Sequence, residues 1–131
     1  MSKRINKWYK AKVHSGSQLG RTIAVPTVNL NPAILSHFPE GIYACFVRYN
    51  RKAYAGALYL GKRLVLGETR TVLEIHLLDF HKEIYGEYIM FQIKDFIRAP
   101  RVFSSMIEMQ KVIAEDIERV KGVFLNEQKG K

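Results

Sequence analysis

Residues 42–60, IYACFVRY-NRK-AYAGALYL, decide the fold class of this chain. Two runs rich in β-branched and aromatic residues, Ile42 to Tyr49 and Ala53 to Leu60, flank the short polar segment Asn50-Arg51-Lys52. Runs of this composition around a short connection are typical of a β-hairpin. The hairpin predicts a protein that is built mainly of antiparallel strands.

Further segments with strand character lie on both sides of this hairpin. Trp8 to Val13 precedes it, and Thr71 to Leu78 and Tyr88 to Ile93 follow it. We expect the last two segments to pair with each other around the loop at 81–86. Short strands joined by short connections favour an antiparallel barrel or sandwich.

One helix is expected at the C-terminal end. Ser105 stands three residues before Glu108, which is the spacing of a capping box. An apolar stripe at helical spacing follows and is expected to end at Gly122. The stripe predicts a helix that packs on the barrel, and its members are Met106, Met109, Ile113, Ile117 and Val120.

Length and composition limit the class of protein. The 131 residues are 47% hydrophobic, so residues 1–131 are expected to form one domain with a single core. No apolar run reaches the roughly 20 residues that a membrane span needs, and the basic start MSKRINKWYK has no apolar signal segment. The only cysteine, Cys45, is expected to be a core residue. A single cysteine cannot form an intramolecular disulfide, which fits a reducing compartment, so a cytoplasmic location is expected.

The net charge is +9, which favours anionic partners such as nucleic acid or phosphorylated small molecules. A solvated basic surface without a partner explains the same charge. A nucleic-acid partner would require exposed aromatic rings on which bases can stack, and four tyrosines are candidates for this role. The alternative explanation is that these tyrosines pack in the barrel wall. These candidates are Tyr43, Tyr49, Tyr54 and Tyr59.

Two apparent motifs are rejected. The segment from Gly56 to Arg63 resembles a phosphate-binding P-loop, but it lacks the Ser or Thr that would bind magnesium and no helix follows it. Glu74, His76 and the following Asp79 and His81 lie close in sequence, but alternation puts Glu74 and His76 on one face of the strand and Asp79 on the other, and no second His or Cys pair completes a zinc shell.

Residues 21–30, RTIAVPTVNL, combine a hydrophobic run with Pro26 and two small polar residues. If the chain is extended here, Thr27 and Asn29 point to the same side and offer two neutral oxygen ligands of the kind that suits Mg²⁺. The preceding loop would add backbone amides and a positive charge from Gly16, Gly20 and Arg21. An ordinary loop and edge strand is the competing interpretation.

Glu74 lies in the segment TVLEIHLL at 71–78. Alternation predicts that Leu73, Ile75 and Leu77 face the barrel interior, whereas Glu74 and its alternating neighbours face outward. A carboxylate held on a rigid strand could act as a general base. A solvated surface glutamate is the competing interpretation.

The order of these motifs resembles the riboflavin kinase (flavokinase) family. The resemblance runs from about Lys12 to Lys121. It implies a six-stranded antiparallel, Greek-key-like β-barrel with a C-terminal α-helix, and a kinase that transfers the γ-phosphate of ATP to the riboflavin 5′-hydroxyl, giving FMN and ADP. The segments that carry it are Gly16–Arg21, Pro26–Asn29, Gly41–Tyr43, Leu73–Phe80, Ile84–Gly86, Phe96–Arg98 and Phe103.

The resemblance also implies roles for individual residues. Thr27 and Asn29 would hold Mg²⁺, or another divalent cation, and the ATP phosphates, and Glu74 would accept the proton of the riboflavin hydroxyl. A flap over the nucleotide would contain the glycine loop, and the flavin pocket would include the segment after the last strand. The residues expected there are Gly16, Gly20 and Arg21 in the flap, and Arg98 and Phe103 in the pocket.

The sequence departs from the usual family pattern at several positions, and two alternative functions remain open. Ala24 and Val25 stand where the family usually has Gly-Phe, and Val28 replaces the usual Ala. Riboflavin, FMN, ATP and ADP are the expected partners of a monomer, while a membrane and nucleic acid are not expected. The length leaves no room for the N-terminal FMN adenylyltransferase domain of many bacterial members. A catalytically inactive flavin- or nucleotide-binding barrel and a basic nucleic-acid-binding barrel remain the alternatives.

Overall fold

The computed structural model describes residues 6–14, 27–62, 67 and 69–129, in which six strands and one long helix are formed. A short 3-10 helix follows the second strand. The elements are β1 Trp8–Lys12, β2 Thr27–Leu30, the 3-10 helix Pro32–Leu35, β3 Gly41–Tyr49, β4 Lys52–Lys62, β5 Thr71–Leu77, β6 Tyr88–Arg98 and α1 Met106–Lys129.

The six strands form one antiparallel sheet in the order β1-β6-β3-β4-β5-β2. The predicted hairpin is confirmed as β3 and β4, whose last pair is Tyr49 opposite Lys52. Asn50 and Arg51 between them have φ values of 50° and 68°. Positive φ at both central residues is the geometry of a tight hairpin turn whose twist matches that of the flanking strands.

The expected pairing of the fifth and sixth strands is wrong. β5 lies between β4 and β2, whereas β6 lies between β1 and β3. The connection between them is not a tight turn because Phe80 and Ile84 are buried in the barrel core. The chain therefore crosses the barrel end and returns β6 to the side of β3, which is Greek-key connectivity.

The interior of the barrel is filled by the inward-facing residues of the strands and of two connections. The sheet curls until its two edge strands approach, and the backbone N–H of His14 donates to the Asn29 carbonyl at 2.8 Å. Leu73, Ile75 and Leu77 face inward as predicted, and the barrel core consists of Ala11, Val13, Val28, Leu30, Leu35, Tyr43, Cys45, Val47, Leu58, Leu60, Leu73, Ile75, Leu77, Phe80, Ile84, Ile89, Phe91 and Ile93.

Helix α1 packs on the outer face of β3, β4 and β6, as the apolar stripe predicted. Small residues of the strands, Ala44 and Ala57 among them, lie under Val120 and let the helix approach closely. Phe124 meets Phe46 edge-on with the ring centroids 5.0 Å apart. None of the helices in the described part of the chain is long and apolar enough to span a membrane.

The two ends of α1 differ from the expectations in detail. Ser105 Oγ accepts the predicted hydrogen bond from Glu108 N at 3.1 Å, but the Glu108 carboxylate returns to Ser104 N at 3.2 Å. Met106 is exposed and lies outside the packed stripe. Gly122 does not end the helix, because the residues that follow it, Phe124 included, extend the contact with the barrel.

Candidate active site on the outer face of β2 and β5

The pairing of β2 with β5 brings three of the predicted site residues together. Thr27 lies directly opposite His76, and Asn29 lies directly opposite Glu74. Opposite residues of an antiparallel pair project from the same face of the sheet with their Cβ atoms about 5 Å apart. The predicted oxygen ligands and the predicted base are therefore neighbours on the outer face of the barrel.

The local sequence explains why β2 presents these side chains. Val28 and Leu30 are buried in the barrel core, so the alternating residues Thr27 and Asn29 turn outward. Asn31 ends the strand because its side-chain oxygen accepts a hydrogen bond from Ala33 N at 3.0 Å and caps the 3-10 helix. The extended conformation that the sequence predicted for 27–29 is confirmed.

Glu74 is a nearly buried carboxylate, with 7% of its surface exposed. On its other side lies Tyr59 of β4, whose hydroxyl donates to the Lys62 carbonyl. Burial raises the pKa of Tyr59, the carboxylates of Glu40 and Glu74 raise it further, and Arg98 opposes them. Tyr59 thus remains a neutral phenol beside Glu74.

His76 lies on the same face as Glu74, two residues along β5. Burial lowers the pKa of His76, and the carboxylates of Glu74 and Asp116 only partly oppose this effect. The imidazole is therefore neutral at neutral pH. In the sequence, His76 stands out only as a candidate zinc ligand. In the described part of the chain no group of three or more His, Cys, Asp or Glu residues could hold a metal ion.

The second group of predicted residues, Arg98 and Phe103, lies at the end of β6 and in the segment before α1. Arg98 Nη2 contacts Asp116 Oδ2 at 2.8 Å, and Arg98 Nε contacts Asp116 Oδ1 at 3.0 Å. The Arg98 guanidinium lies 5.8 Å from the centre of the Phe103 ring, and the Arg101 guanidinium lies 5.2 Å from it. The structure thus brings the two predicted flavin-pocket residues together.

A single cross-strand row connects the two groups. Its members, in order across five strands, are Asn29, Glu74, Tyr59, Ile42 and Arg98. Glu74 and Arg98 are three strand spacings apart, which is about 14 Å along the sheet. The two predicted half-sites therefore share one face.

Asp116 and Tyr59 are residues of this face that the sequence reasoning missed as site residues. Asp116 could have been found, because it falls between Ile113 and Val120 on the apolar stripe of the helix, and a buried carboxylate there needs a cationic partner. Tyr59 carried no such signal, since an aromatic residue in a strand is ordinary.

The structure bears on the P-loop-like motif and on the expected core position of Cys45. The residues of the P-loop-like segment that the structure describes, Gly56 to Lys62, belong to strand β4. Burial raises the pKa of the Cys45 thiol, which lies in the barrel core as a free cysteine. A buried thiol of this kind is not a nucleophile.

The glycine loop lies outside the described residues. Gly16, Gly20 and Arg21 are among residues 15–26, as are Pro26 and the departures at Ala24 and Val25. Their assignment to a nucleotide flap stays a prediction.

Comparison with known proteins identifies the family. The family model described as Flavokinase: Riboflavin kinase matches residues 6–124. The "RNA-binding riboflavin kinase RibR" of Bacillus subtilis is 36% identical over 82% of this chain and 47% of its own length. The "Trifunctional protein RibF/MnmA" of Mycoplasmoides gallisepticum is 32% identical over 95% of this chain and 19% of its own length. The chain thus spans a half or less of these curated relatives.

Two solved structures have the same fold. A crystal structure described as a macrolide-efflux protein from Streptococcus pneumoniae has a TM-score of 0.73 and 29% identity, over 87% of this chain and 38% of that chain. The riboflavin kinase from Trypanosoma brucei has a TM-score of 0.66 and 20% identity, over 92% of this chain and 81% of that chain. With the family model matching residues 6–124, this chain belongs to the riboflavin kinase family.

Proposed function

We propose that this chain is a riboflavin kinase that transfers the γ-phosphate of ATP to the riboflavin 5′-hydroxyl and releases FMN and ADP. Riboflavin kinases use ATP and a divalent cation. The observation that carries the proposal is the β2–β5 register, which sets Thr27 and Asn29 opposite His76 and Glu74 on one outer face. The match to the family supports the same reaction.

Glu74 is the general base of this proposal. Phosphoryl transfer requires positioning of the two substrates and a group that accepts the proton of the attacking hydroxyl. Glu74 is fixed between two paired strands and nearly buried, so its carboxylate is held in place before the substrate arrives. A general base of this kind contributes about 10²–10⁴-fold to the rate.

Thr27 and Asn29 fit a divalent cation that is bound together with ATP phosphates. A hydroxyl and an amide carbonyl are hard, neutral oxygen ligands, and Mg²⁺ prefers such oxygens with waters and phosphates completing its shell. Mg²⁺ is therefore the cation that we propose. When bound, it would neutralise charge on the transferred phosphate, while Thr27 and Asn29 orient the nucleotide toward Glu74.

The flavin ring is proposed to lie toward Arg98 and Phe103, along the cross-strand row that leads away from Glu74. Apolar side chains next to this end are solvent-exposed in the free protein, which suits an aromatic ligand. The exposed apolar residues there are Phe96, Val102, Met106 and Ile107. Arg98 contributes its position and charge, although two of its nitrogens already contact Asp116.

The test is conversion of riboflavin to FMN by the purified full chain with ATP and Mg²⁺, followed by chromatography. Glu74→Gln keeps the shape of the side chain and removes the proton acceptor, so turnover should fall about 10²–10⁴-fold, or about 3–5 kcal/mol in the barrier, with riboflavin and ATP still bound. Glu40→Gln is the matched control, because Glu40 also lies near Tyr59 but is half-exposed and pairs with Lys62 at 3.6 Å.

Two results would contradict the proposal. No FMN with any nucleotide or divalent cation, together with flavin binding, would indicate the inactive binding barrel. Unchanged turnover in Glu74→Gln would remove Glu74 from the role of base. We also propose that the enzyme is cytoplasmic and monomeric. Light scattering of the purified chain tests the oligomeric state.

A further inference from the structure

One part of the outer surface carries exposed cations and aromatic rings that the proposed kinase reaction does not use. It lies on β1, β6 and the neighbouring end of β3. Register places Lys10 opposite Met90, Met90 opposite Arg48, and Lys12 opposite Tyr88. We name this surface the basic strand face and define it by Trp8, Lys10, Lys12, Arg48, Tyr88 and Met90.

The residues that define the basic strand face are positive or neutral, and the carboxylates next to it are Glu87, just before β6, and Asp95, further along β6. Lys10, Lys12 and Arg48 are exposed, and the segments 8–12, 46–48 and 88–92 contain no acidic residue. Glu87, which precedes Tyr88, accepts a hydrogen bond from the Tyr49 hydroxyl at 2.5 Å. Three adjacent cations of this kind attract an anionic partner.

Aromatic rings alternate with these cations. Lys10 Nζ lies 5.0 Å from the centre of the Tyr88 ring, and the Arg48 guanidinium lies 4.7 Å from the Trp8 ring. Tyr88 is 57% exposed although it is a large aromatic residue in a strand. An exposed ring beside cations on a flat strand surface can stack on a base while the cations contact phosphates.

The four tyrosines that the sequence suggested as stacking platforms do not have this role. Tyr43 is buried, and its hydroxyl donates to the Pro39 carbonyl at 2.5 Å. Tyr49 and Tyr54 pack edge-on against Phe80 of the barrel core. Tyr59, as described above, lies beside Glu74 with its hydroxyl bonded to the backbone.

We infer that the basic strand face binds single-stranded nucleic acid, with Lys10, Lys12 and Arg48 on phosphates and Tyr88 stacked on a base. This activity goes beyond the proposed kinase reaction. The residues of the basic strand face lie on β1, β3 and β6, whereas the kinase residues Glu74 and Thr27 lie on β5 and β2; the two surfaces approach each other where β1 meets β2 at the His14–Asn29 bridge. A second copy of this chain would bring the same cations to the face, so its charge favours a polyanion over a self-interface.

The experiment measures fluorescence anisotropy of labelled 12-nucleotide RNA and DNA strands of mixed sequence, titrated with the full chain at several salt concentrations. Three phosphate contacts predict a slope of about −2 for log K against log salt concentration. Lys10→Ala/Arg48→Ala should reduce the slope to about −0.7, because one of the three contacts remains. Tyr88→Ala should weaken binding about tenfold at unchanged slope, because it removes stacking and no charge.

A matched control distinguishes binding at the basic strand face from attraction by the net charge of the whole protein. Lys111→Ala/Lys121→Ala removes two exposed cations from α1 and should leave both affinity and slope near those of the unchanged chain. FMN formation by the three variants should equal that of the unchanged chain, which shows that each is folded.

Five outcomes would overturn the inference. Equal weakening by the helix variant would show that net charge alone attracts the oligonucleotide. An unchanged affinity of Tyr88→Ala for the oligonucleotide would show that Tyr88 does not stack on a base. If polyglutamate displaced the oligonucleotide as well as an unlabelled strand does, the partner would be an acidic protein segment. A doubled mass in light scattering that Arg48→Glu abolishes would assign the face to a second copy of this chain. Absence of binding at low salt would also refute it.

Discussion

The ion pair between Arg98 and Asp116 predicts a large loss of stability when Asp116 is replaced by Asn. Asp116 is 5% exposed, and its two oxygens contact the guanidinium at 2.8–3.2 Å. Asn keeps the shape of the side chain but turns one acceptor into a donor that faces the arginine. The pair also joins α1 to the end of β6, so its loss acts on the helix–barrel contact.

The magnitude follows from burial. Removing one partner of a fully buried ion pair costs about 3–5 kcal/mol because the other charge is left without compensation. The Arg98 side chain is 20% exposed, so water supports part of its charge and we expect about 2–3 kcal/mol. For 131 residues, this loss corresponds to a decrease in Tm of roughly 7–11 °C.

The assay is urea and thermal unfolding followed by circular dichroism. The matched control is Glu118→Gln on the same helix, since Glu118 pairs with Lys121 at 3.7 Å but both side chains are exposed. That change should cost less than about 0.5 kcal/mol. Replacing both partners by Arg98→Met/Asp116→Leu should recover most of the stability. A cost for Asp116→Asn that is no larger than for Glu118→Gln would refute the reasoning.

Two further predictions concern packing and pH. Gly56→Ala should destabilise the barrel by about 1–3 kcal/mol, because the added Cβ would lie 2.7 Å from Ile75 Cγ2 and 3.0 Å from Cys45 Sγ. Gly122→Ala meets nothing within 4 Å and should stabilise the helix by up to about 1 kcal/mol in the same urea unfolding series, so equal effects of the two changes would contradict this packing. Because burial lowers the pKa of His76 below its ordinary 6.5, the unfolded chain binds more protons below that pH, and stability should fall as the pH decreases from 7.5 to 5.5. Urea midpoints should depend less on pH in His76→Gln than in the unchanged chain, and an identical pH dependence of the two would show that His76 does not cause it.

The local features of this protein follow from its amino-acid sequence alone. The β3–β4 hairpin follows from two β-rich runs around a turn, and the outward direction of Glu74 follows from its alternation with Leu73 and Ile75. The start of α1 follows from the side chain of Ser105. Each of these depends on residues that lie within one strand, one turn or one helix end, where the period of the backbone decides which side chains share a face.

Which strands become neighbours depends on the packing of the whole core. Adjacent segments in the sequence were expected to pair, but burial of Phe80 and Ile84 carries the chain across the barrel and leaves β5 to pair with β2. That non-local pairing places Asn29 opposite Glu74, and the docking of α1 places Asp116 on Arg98. Alternation fixes the face of a side chain, whereas the partner across the sheet depends on how the whole core packs.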